Sequence, residues 1–387
     1  MSEARHAFAV PEHQRRCAAL QTSMQSAGMD ALLLTSPADI FYVTGFLTRF
    51  WESPARPWFV LVPASGAPVA VIPSIGEKLM GTTWISDIRT WDAPDPRDDG
   101  ISLLADTLCA MVPQKGRLGI PMGPETHLRM PLADFLHLSD LLAPRDISDA
   151  TRVIQQVREI KSEVEVDRIR ASCRIAGTAF ERVPDIAGYG IPLDHVFRDF
   201  QVALLAAGAD WVSYLAGGAG PGGYDDVISP AGADPLRAGD LLMLDTGAVR
   251  QGYFCDFDRN FAVRHADDGT RRTYDALWAA TQTVLSDLRP GMRASDVHSM
   301  LTGSLRASGV TPGGGRLGHG LGITLTEWPS FTPLDHSELR AGMVLTIEPG
   351  ALTSGGRMMV HEENIVLRDT GPELLTARAP ATLPVLD

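Results

Sequence analysis

The feature that most constrains this chain is a set of acidic side chains placed in runs that otherwise read as buried strand. Leu241–Leu244 is an apolar run that ends at Asp245, within Leu-Met-Leu-Asp-Thr-Gly (242–247). Asp256 and Asp258 lie in Gly-Tyr-Phe-Cys-Asp-Phe-Asp-Arg (252–259), inside a second strand candidate covering 252–263. Glu348 follows Val-Leu-Thr-Ile and precedes Pro349 and Gly350, so it stands at a strand end. Glu362 and Glu363 adjoin in Val-His-Glu-Glu-Asn-Ile-Val-Leu (360–367). An Asp near a turn is ordinarily solvated or caps the backbone. One flanked by apolar strand residues has to find a partner, because an unpaired buried charge is expensive.

Strand geometry narrows the choices. A turn between the 241–245 run and the 252–263 run makes an antiparallel pair on which Asp245 and Asp256 converge. Residues alternate faces along a strand, so Asp258 is expected to point with Asp256, and Cys255 and Phe257 away. Of Glu362 and Glu363 only one is expected to face the site. His361 lies on the face opposite to Glu362 and is read as structural. His319 lies in Gly-His-Gly-Leu-Gly (318–322), among glycines 313, 314, 315, 318, 320 and 322. A lone His is commonly a structural hydrogen-bonding group, but here missing side chains allow backbone or substrate to approach closely. Four carboxylates (Asp245, Asp256, Glu348, Glu362) and one imidazole suit two hard or borderline divalent metals sharing a water.

The rest of the chain organises around these segments. Apolar runs at 31–35, 58–63 and 70–73, bounded by Gly, Pro and Ser, read as strands, and Arg15–Ala27 reads as a helix ending near Gly28. This half is expected to be an α/β unit. Ser162 and Glu165 have capping-box spacing, and Val166, Ile169, Cys173, Ala176 and Phe180 follow at helical spacing. The boundary is therefore expected within 150–162, with domains 1–155 and 156–387. Tyr274, Leu277, Trp278, Thr281, Leu285 and Leu288 trace a second helix stopped by Pro290 and Gly291. Val297, Met300, Leu301 and Leu305 trace a third, ended by Gly309. The second half is thus α+β, with the acidic segments on strands between helices.

Composition excludes some functions. A chain of 387 residues with a net charge of −13 repels nucleic acid and anionic membrane. No apolar run approaches the ~18 residues that span a bilayer. The N-terminus shows no signal-peptide pattern. The four cysteines are scattered with no CxxC pair, which fits free thiols in a cytoplasm.

These motifs, in this order, resemble the pita-bread metallohydrolase superfamily, which includes methionine aminopeptidase, Xaa-Pro aminopeptidase, prolidase and creatinase. Thr-Ser-Pro-Ala-Asp-Ile-Phe-Tyr-Val-Thr-Gly-Phe (35–46) also resembles the two-domain branch, so the likeness covers nearly the whole chain. It implies a creatinase-like α/β N-terminal domain and an α+β pita-bread catalytic domain. It further implies a dinuclear hydrolase of the Xaa-Pro aminopeptidase or dipeptidase type, cleaving a small peptide's amide bond through a metal-bridging hydroxide. By the same resemblance Asp245 chelates one metal, Asp256 and Glu362 bridge both, and His319 and Glu348 hold the other; the spacing to Asp369 and Gly371 matches the family pattern best with Glu362, and Glu363 is the fallback. Glu348 would shuttle the proton, with His319 at its side. Manganese is favoured by the carboxylate richness; cobalt, zinc and iron remain options. A cytoplasmic homodimer with a small peptide or zwitterionic substrate is the corresponding expectation.

The chain departs from that pattern at three places. Family peptidases carry a second His seven residues after the ligand His; here Thr326 occupies that position. A further His upstream of the first Asp is absent from Gly-Gly-Ala-Gly-Pro-Gly-Gly-Tyr-Asp-Asp (217–226), where Tyr224 is the substrate-contact candidate. Asp258 stands where Thr is usual: it either tunes the metals or serves as acid/base, or it forms a salt bridge with Arg259 or another Arg. In the N-terminal half, Arg49, Trp51 and Arg56 could bind a substrate carboxylate or cationic group, or serve packing or a dimer contact. The departures keep open a non-peptidase reaction on a small osmolyte-like substrate. That alternative covers creatinase- or ectoine-hydrolase-type C–N hydrolysis and dimethylsulfoniopropionate-lyase-type elimination. A non-enzymatic binding role is a third reading, disfavoured by the retained ligand set.

Overall fold

In the computed structural model, which describes residues 8–52 and 56–387, the chain divides into two units, Met1–Arg158 and Glu159–Asp387. The first unit runs α1 (Val10–Ser26), β1 (Ala31–Leu34), α2 (Pro37–Thr44), β2 (Phe59–Pro63), β3 (Val69–Pro73), α3 (Glu77–Met80), β4 (Asp87–Trp91), α4 (Ile101–Met111), β5 (Arg117–Ile120), α5 (Leu132–Leu142), β6 (Asp146–Asp149) and α6 (Thr151–Arg158). Its six strands form one mixed sheet in the order β4-β3-β2-β1-β5-β6. The three apolar runs seen in the sequence become β1, β2 and β3, with β1–β2 and β2–β3 antiparallel. Leu33, Phe59, Leu61 and Val71 of these strands pack with Leu104 and Leu108 of α4 and Leu138 of α5 in one core.

The second unit opens on α7 (Glu163–Phe180), and the expected capping box is present, with the Glu165 carboxylate accepting the Ser162 N–H at 3.1 Å. It continues through α8 (Val183–Ile186), α9 (Leu193–Ala206), β7 (Trp211–Pro221), β8 (Asp240–Arg250), β9 (Tyr253–Phe254), β10 (Phe257–Val263), α10 (Asp268–Asp287) and α11 (Ala294–Ala307). The remainder is β11 (Thr311–Pro312), β12 (His319–Gly320), β13 (Glu327–Ser330), β14 (Val344–Ile347), β15 (Gly350–Leu352), β16 (Met358–Val360), β17 (Glu363–Arg368), β18 (Gly371–Leu374) and β19 (Val385–Leu386). Three sheets result, in the orders β19-β10-β8-β7, β13-β12-β14-β17-β18 and β11-β15-β16, with β9 attached to β8. The helical spacing read at 274–288 becomes α10, whose Asp267 N-cap accepts the Thr270 N–H. Leu277, Ala280 and Val284 of α10 and Val297, Leu301 and Leu305 of α11 pack against Leu345, Ile347, Ile365 and Leu367 from β14 and β17. Each such Leu, Ile or Val side chain contributes about 1.5–3 kcal/mol on burial, so the strands that carry the acidic groups rest on a firm apolar floor.

One strand expectation is corrected. The 252–263 segment is not a continuous strand: Cys255 and Asp256 interrupt it between β9 and β10. The residue directly across the ladder from Asp245 is Asp258.

Candidate metal centre

Asp245 sits within the long buried strand β8, with Ala216 of β7 on one side and Asp258 of β10 on the other. Asp256 is held at the break by Asn364 of β17: its N–H donates to Asn364 Oδ1 at 3.0 Å, and the Asn364 amide donates back to the Asp256 carbonyl. His319 opens the short strand β12. Its N–H donates to Thr346 Oγ1 at 3.1 Å, and Nδ1 lies 2.8 Å from the Gly320 carbonyl. A carbonyl only accepts, so Nδ1 carries the proton, and Nε2 faces Asp256 Oδ2 at 3.2 Å. Close backbone packing explains the flanking glycines. A Cβ on Gly320 would stand 2.0 Å from the Trp328 carbonyl oxygen, and Gly318 has φ +135° with the Thr346 carbonyl oxygen 2.3 Å from a Cβ position. Only glycine tolerates both. Glu348 follows β14, and its N–H donates to the Leu317 carbonyl at 3.0 Å.

The adjacent glutamates separate cleanly. Glu363 opens β17 and is neutralised by Arg259 at 3.0 Å and Arg378 at 3.2 Å; it also accepts the Thr376 hydroxyl and the Ala379 N–H. His361 shares that side, 3.0 Å from Arg378 Nη1 and edge-on to Tyr274. Burial holds its pKa down at about 3. Glu362 faces the opposite way, and one of its carboxylate oxygens lies within 4.8 Å of one ligand atom each of Asp256 and His319.

Residue pairs missed by sequence reasoning complete the centre. Tyr214 of β7 places its hydroxyl 2.5 Å from Asp245 Oδ2 and 2.8 Å from Asp256 Oδ1. A phenol has one proton to give, so one of these two contacts needs a protonated carboxyl as donor. Tyr214 lies within a register shift in the β7–β8 ladder between Val212 and Leu215, which no spacing rule reveals. Arg316, three residues before His319, donates to Thr326 Oγ1 at 3.1 Å.

The electrostatics are those of crowded acids. Burial and then the charge of Asp256 push Asp245 well above the usual carboxylate range, against the hydrogen bond from Tyr214. Glu362 is raised by burial and by the charges of Asp256, Glu348 and Asp245. Burial lifts Glu348 to about 7 and Asp258 to about 8. Burial opposes charge on His319, but the hydrogen bond and charge of Asp256 outweigh it and raise its pKa. Among the described residues no Lys or Arg forms an ion pair with Asp245, Asp256, Asp258, Glu348 or Glu362. The Arg259 guanidinium donates to the Asp258 backbone carbonyl rather than to its carboxylate, whose Oδ1 accepts the Glu362 N–H.

This arrangement tests the fit of a bound cation. Asp245 Oδ1, Asp258 Oδ2 and Glu362 Oε1 are buried and have no hydrogen-bond partner. Oxygen-rich donors with one imidazole, lacking a cationic side chain, fit hard divalent ions.

The remaining sequence candidates are Tyr224, Thr326, Arg49, Trp51 and Arg56. Tyr224 is 1 % exposed and belongs to the apolar core of the second unit. Its hydroxyl accepts the Val360 N–H at 2.6 Å, so the ring lies in the floor and not on an open substrate face. Thr326 stands in the loop after β12, with its hydroxyl on Arg316. Arg49, Trp51 and Arg56 belong to the first unit. There Trp51 packs against Phe46 and Trp58, with ring centroids 6.0 and 5.6 Å away. Arg129 donates to the Trp51 and Arg56 carbonyls, at 2.8 Å each.

Comparison with known proteins is consistent at every level. Residues 167–369 match metallopeptidase family M24, and residues 16–160 match the creatinase/prolidase N-terminal domain. A probable dipeptidase PepE of Mycobacterium tuberculosis is 27 % identical over 364 residues, covering 93 % of both chains. The crystal structure of dipeptidase PepE from Mycobacterium ulcerans superposes with a TM-score of 0.84 at 26 % identity, over 98 % of this chain and 99 % of that one. A prolidase from Thermococcus sibiricus shares the fold, with a TM-score of 0.85 at 24 % identity, over 97 % of this chain and 99 % of that one.

Proposed function

This chain belongs to metallopeptidase family M24, and on that premise we propose that it is a dipeptidase, with Xaa-Pro dipeptides among its substrates. The observation that carries the reading is the buried group Asp256, His319 and Glu362, whose ligand atoms lie within 4.8 Å of one another, together with unpartnered carboxylate oxygens on Asp245, Asp258 and Glu362. Asp245, Asp256, His319, Glu348 and Glu362 would hold two divalent cations, with manganese favoured by the oxygen-rich set. Such ions, when bound, polarise the scissile carbonyl and make water a nucleophile near neutral pH.

The chain's own groups supply the rest. Tyr214 orients Asp245 and Asp256 through one hydroxyl. Asn364 and Thr346 fix the backbone of Asp256 and His319. Glu348, poised at about 7, can take a proton at its carboxylate and pass it to the leaving nitrogen, the pKa match that proton transfer requires. Asp258, buried with one unpartnered oxygen, adds a carboxylate that tunes the cations or carries a proton. Thr326, with a hydroxyl in place of an imidazole, and Arg49, Trp51 and Arg56 are substrate-contact candidates.

Release of free amino acid from Gly-Pro and other dipeptides, with and without Mn²⁺, tests the reading. Activity should appear with metal and vanish with chelator, and Asp258→Asn should lower either turnover or metal content. Thr326 in place of an imidazole favours one second reading, C–N or C–S cleavage of a small zwitterion. Turnover of an osmolyte with no turnover of dipeptides would replace the first reading by the second. We further propose a cytoplasmic homodimer. Four cysteines outside any disulfide accord with a reducing compartment, and no helix among the described residues is long and apolar enough to cross a membrane.

A further inference from the structure

We propose that a cleft on the Glu363 side of the second unit is a further ligand site, and that it takes a free aromatic amino acid. The cleft lies between α7, β10 and the segment 377–384 and holds about 220 Å³. Its walls are mainly apolar: Phe180 of α7, Phe257 and Phe261 of β10, and Pro380 and Pro384. Phe180 and Phe257 meet with ring centroids 5.2 Å apart. A dry cavity of about 150 Å³ accepts a benzene ring, so the cleft has room for a ring with a short polar tail. Gly177, inside α7, also lines it, and a Cβ there would meet nothing within 4 Å. Glycine is, after proline, the poorest residue for a helix interior. Here its missing side chain keeps the cleft open.

The polar groups of the cleft match the two charged ends of an amino acid. Arg259 and Arg378 both line it, and both pair with one carboxylate, Glu363, at 3.0 and 3.2 Å. Two guanidinium groups on a single carboxylate leave one positive charge in excess. Arg259 is 8 % exposed. Its two Nη atoms are spent on Glu363 and on the Asp258, Glu362 and Ala377 carbonyls, while its Nε has no hydrogen-bond partner among the described residues. A buried N–H without an acceptor costs free energy that a ligand carboxylate would recover. The Arg259 guanidinium lies 4.6 Å from the Phe257 ring centroid, so the places for carboxylate and ring adjoin. Glu181, four residues beyond Gly177, lines the cleft, is exposed, and forms no ion pair among the described residues. It suits the ligand's ammonium. An aromatic acid without the amine would leave Glu181 unused, and an amine without the acid would leave the excess positive charge unmatched.

Calorimetric titration of the metal-loaded protein with L-phenylalanine tests the assignment, and because turnover is not read, failure of the peptidase reading leaves the test intact. Phenethylamine, which lacks the carboxylate, should bind about 10- to 100-fold more weakly, the worth of a charge-assisted hydrogen bond to a buried group. 3-Phenylpropionate, which lacks the ammonium, should bind about 2- to 5-fold more weakly, because an exposed ion pair is worth less. Gly177→Leu places a side chain in the cleft and should abolish binding, with the melting temperature unchanged or raised. A chelator should leave the affinity as it was. No binding of L-phenylalanine at millimolar concentration, or binding of undiminished strength in Gly177→Leu, overturns the proposal. Binding that the chelator abolishes also overturns it, since the amino acid would then sit at the metal centre. Should Gly177→Leu fail to fold, Glu181→Gln at its exposed position decides. It should bring L-phenylalanine and 3-phenylpropionate to one affinity, and an unchanged preference for L-phenylalanine overturns the site.

Discussion

Single residues in the centre are placed against their own electrostatic interest, and that conflict has a pH signature. Burial, then the Asp256 charge, outweigh the pull of His319 and raise Glu348 from its ordinary 4.5 to about 7; Asp245 and Glu362 are raised as well. A carboxyl whose pKa rises on folding binds its proton more tightly in the folded chain. The Glu348 contribution to the stability of the metal-free protein is therefore lost as pH climbs from about 4.5 to about 7, and Asp258 extends the loss to about 8. Bound cations favour the ionised carboxylates and compete with protons. The difference in melting temperature between Mn²⁺-loaded and chelated protein should accordingly widen from pH 5 to pH 8. A difference that stays constant or narrows would contradict the assignment. Sequence reasoning reached these residues because charge inside apolar strand runs is conspicuous. Strand parity gave only that one of Glu362 and Glu363 faces the site, and the choice of Glu362 came from spacing shared with the family; in the structure Glu363 pairs with Arg259 and Arg378, and Glu362 groups with Asp256 and His319. Sequence reasoning missed Tyr214, whose role depends on a bulge, and Arg316, whose neighbours are made by tertiary contacts.

At the scale of elements, the loop between β12 and β13 shows how the fold fixes His319. Glu327, at the start of β13, accepts the Ile323 and Thr324 N–H groups at 3.0 and 3.2 Å. Its other oxygen pairs with Lys161 at 2.8 Å, both side chains being 1 % exposed. Removing one partner of such a pair leaves an uncompensated buried charge, at a cost of about 3–5 kcal/mol. Lys161→Met should lower the unfolding free energy by about that amount in urea titration, with part restored in Lys161→Met/Glu327→Gln. A loss below about 1 kcal/mol would show that the pair does not hold the loop. Neither Lys161 nor Glu327 stood out in the sequence, because nothing in the spacing 161 to 327 signals a contact. Helices α7 and α10 were legible because their caps and apolar faces are local. The segment at 252–263 was legible as strand but not in its break, because the interruption at Cys255 and Asp256 is set by Asn364, which lies far away in sequence.

For the whole molecule, length and alternating apolar runs gave the expectation of two domains, and the likeness of ordered motifs gave the fold family. The partner state rests on the proposal of a homodimer, for which light scattering should return twice the 41.7 kDa chain mass; a mass equal to one chain would refute it. The net charge of −13 takes on a local meaning once the charges of four buried carboxylates are seen raising the pKa of a fifth, Glu362, which groups with Asp256 and His319. Everything in the functional account depends on cations entering that cluster. The most direct measurement is metal content per chain, by elemental analysis after reconstitution with Mn²⁺ and removal of excess. The account predicts two ions per chain in the unmodified protein and a marked loss in Asp256→Asn and His319→Ala. Protein that retains no metal, or variants that retain as much as the original, would contradict it.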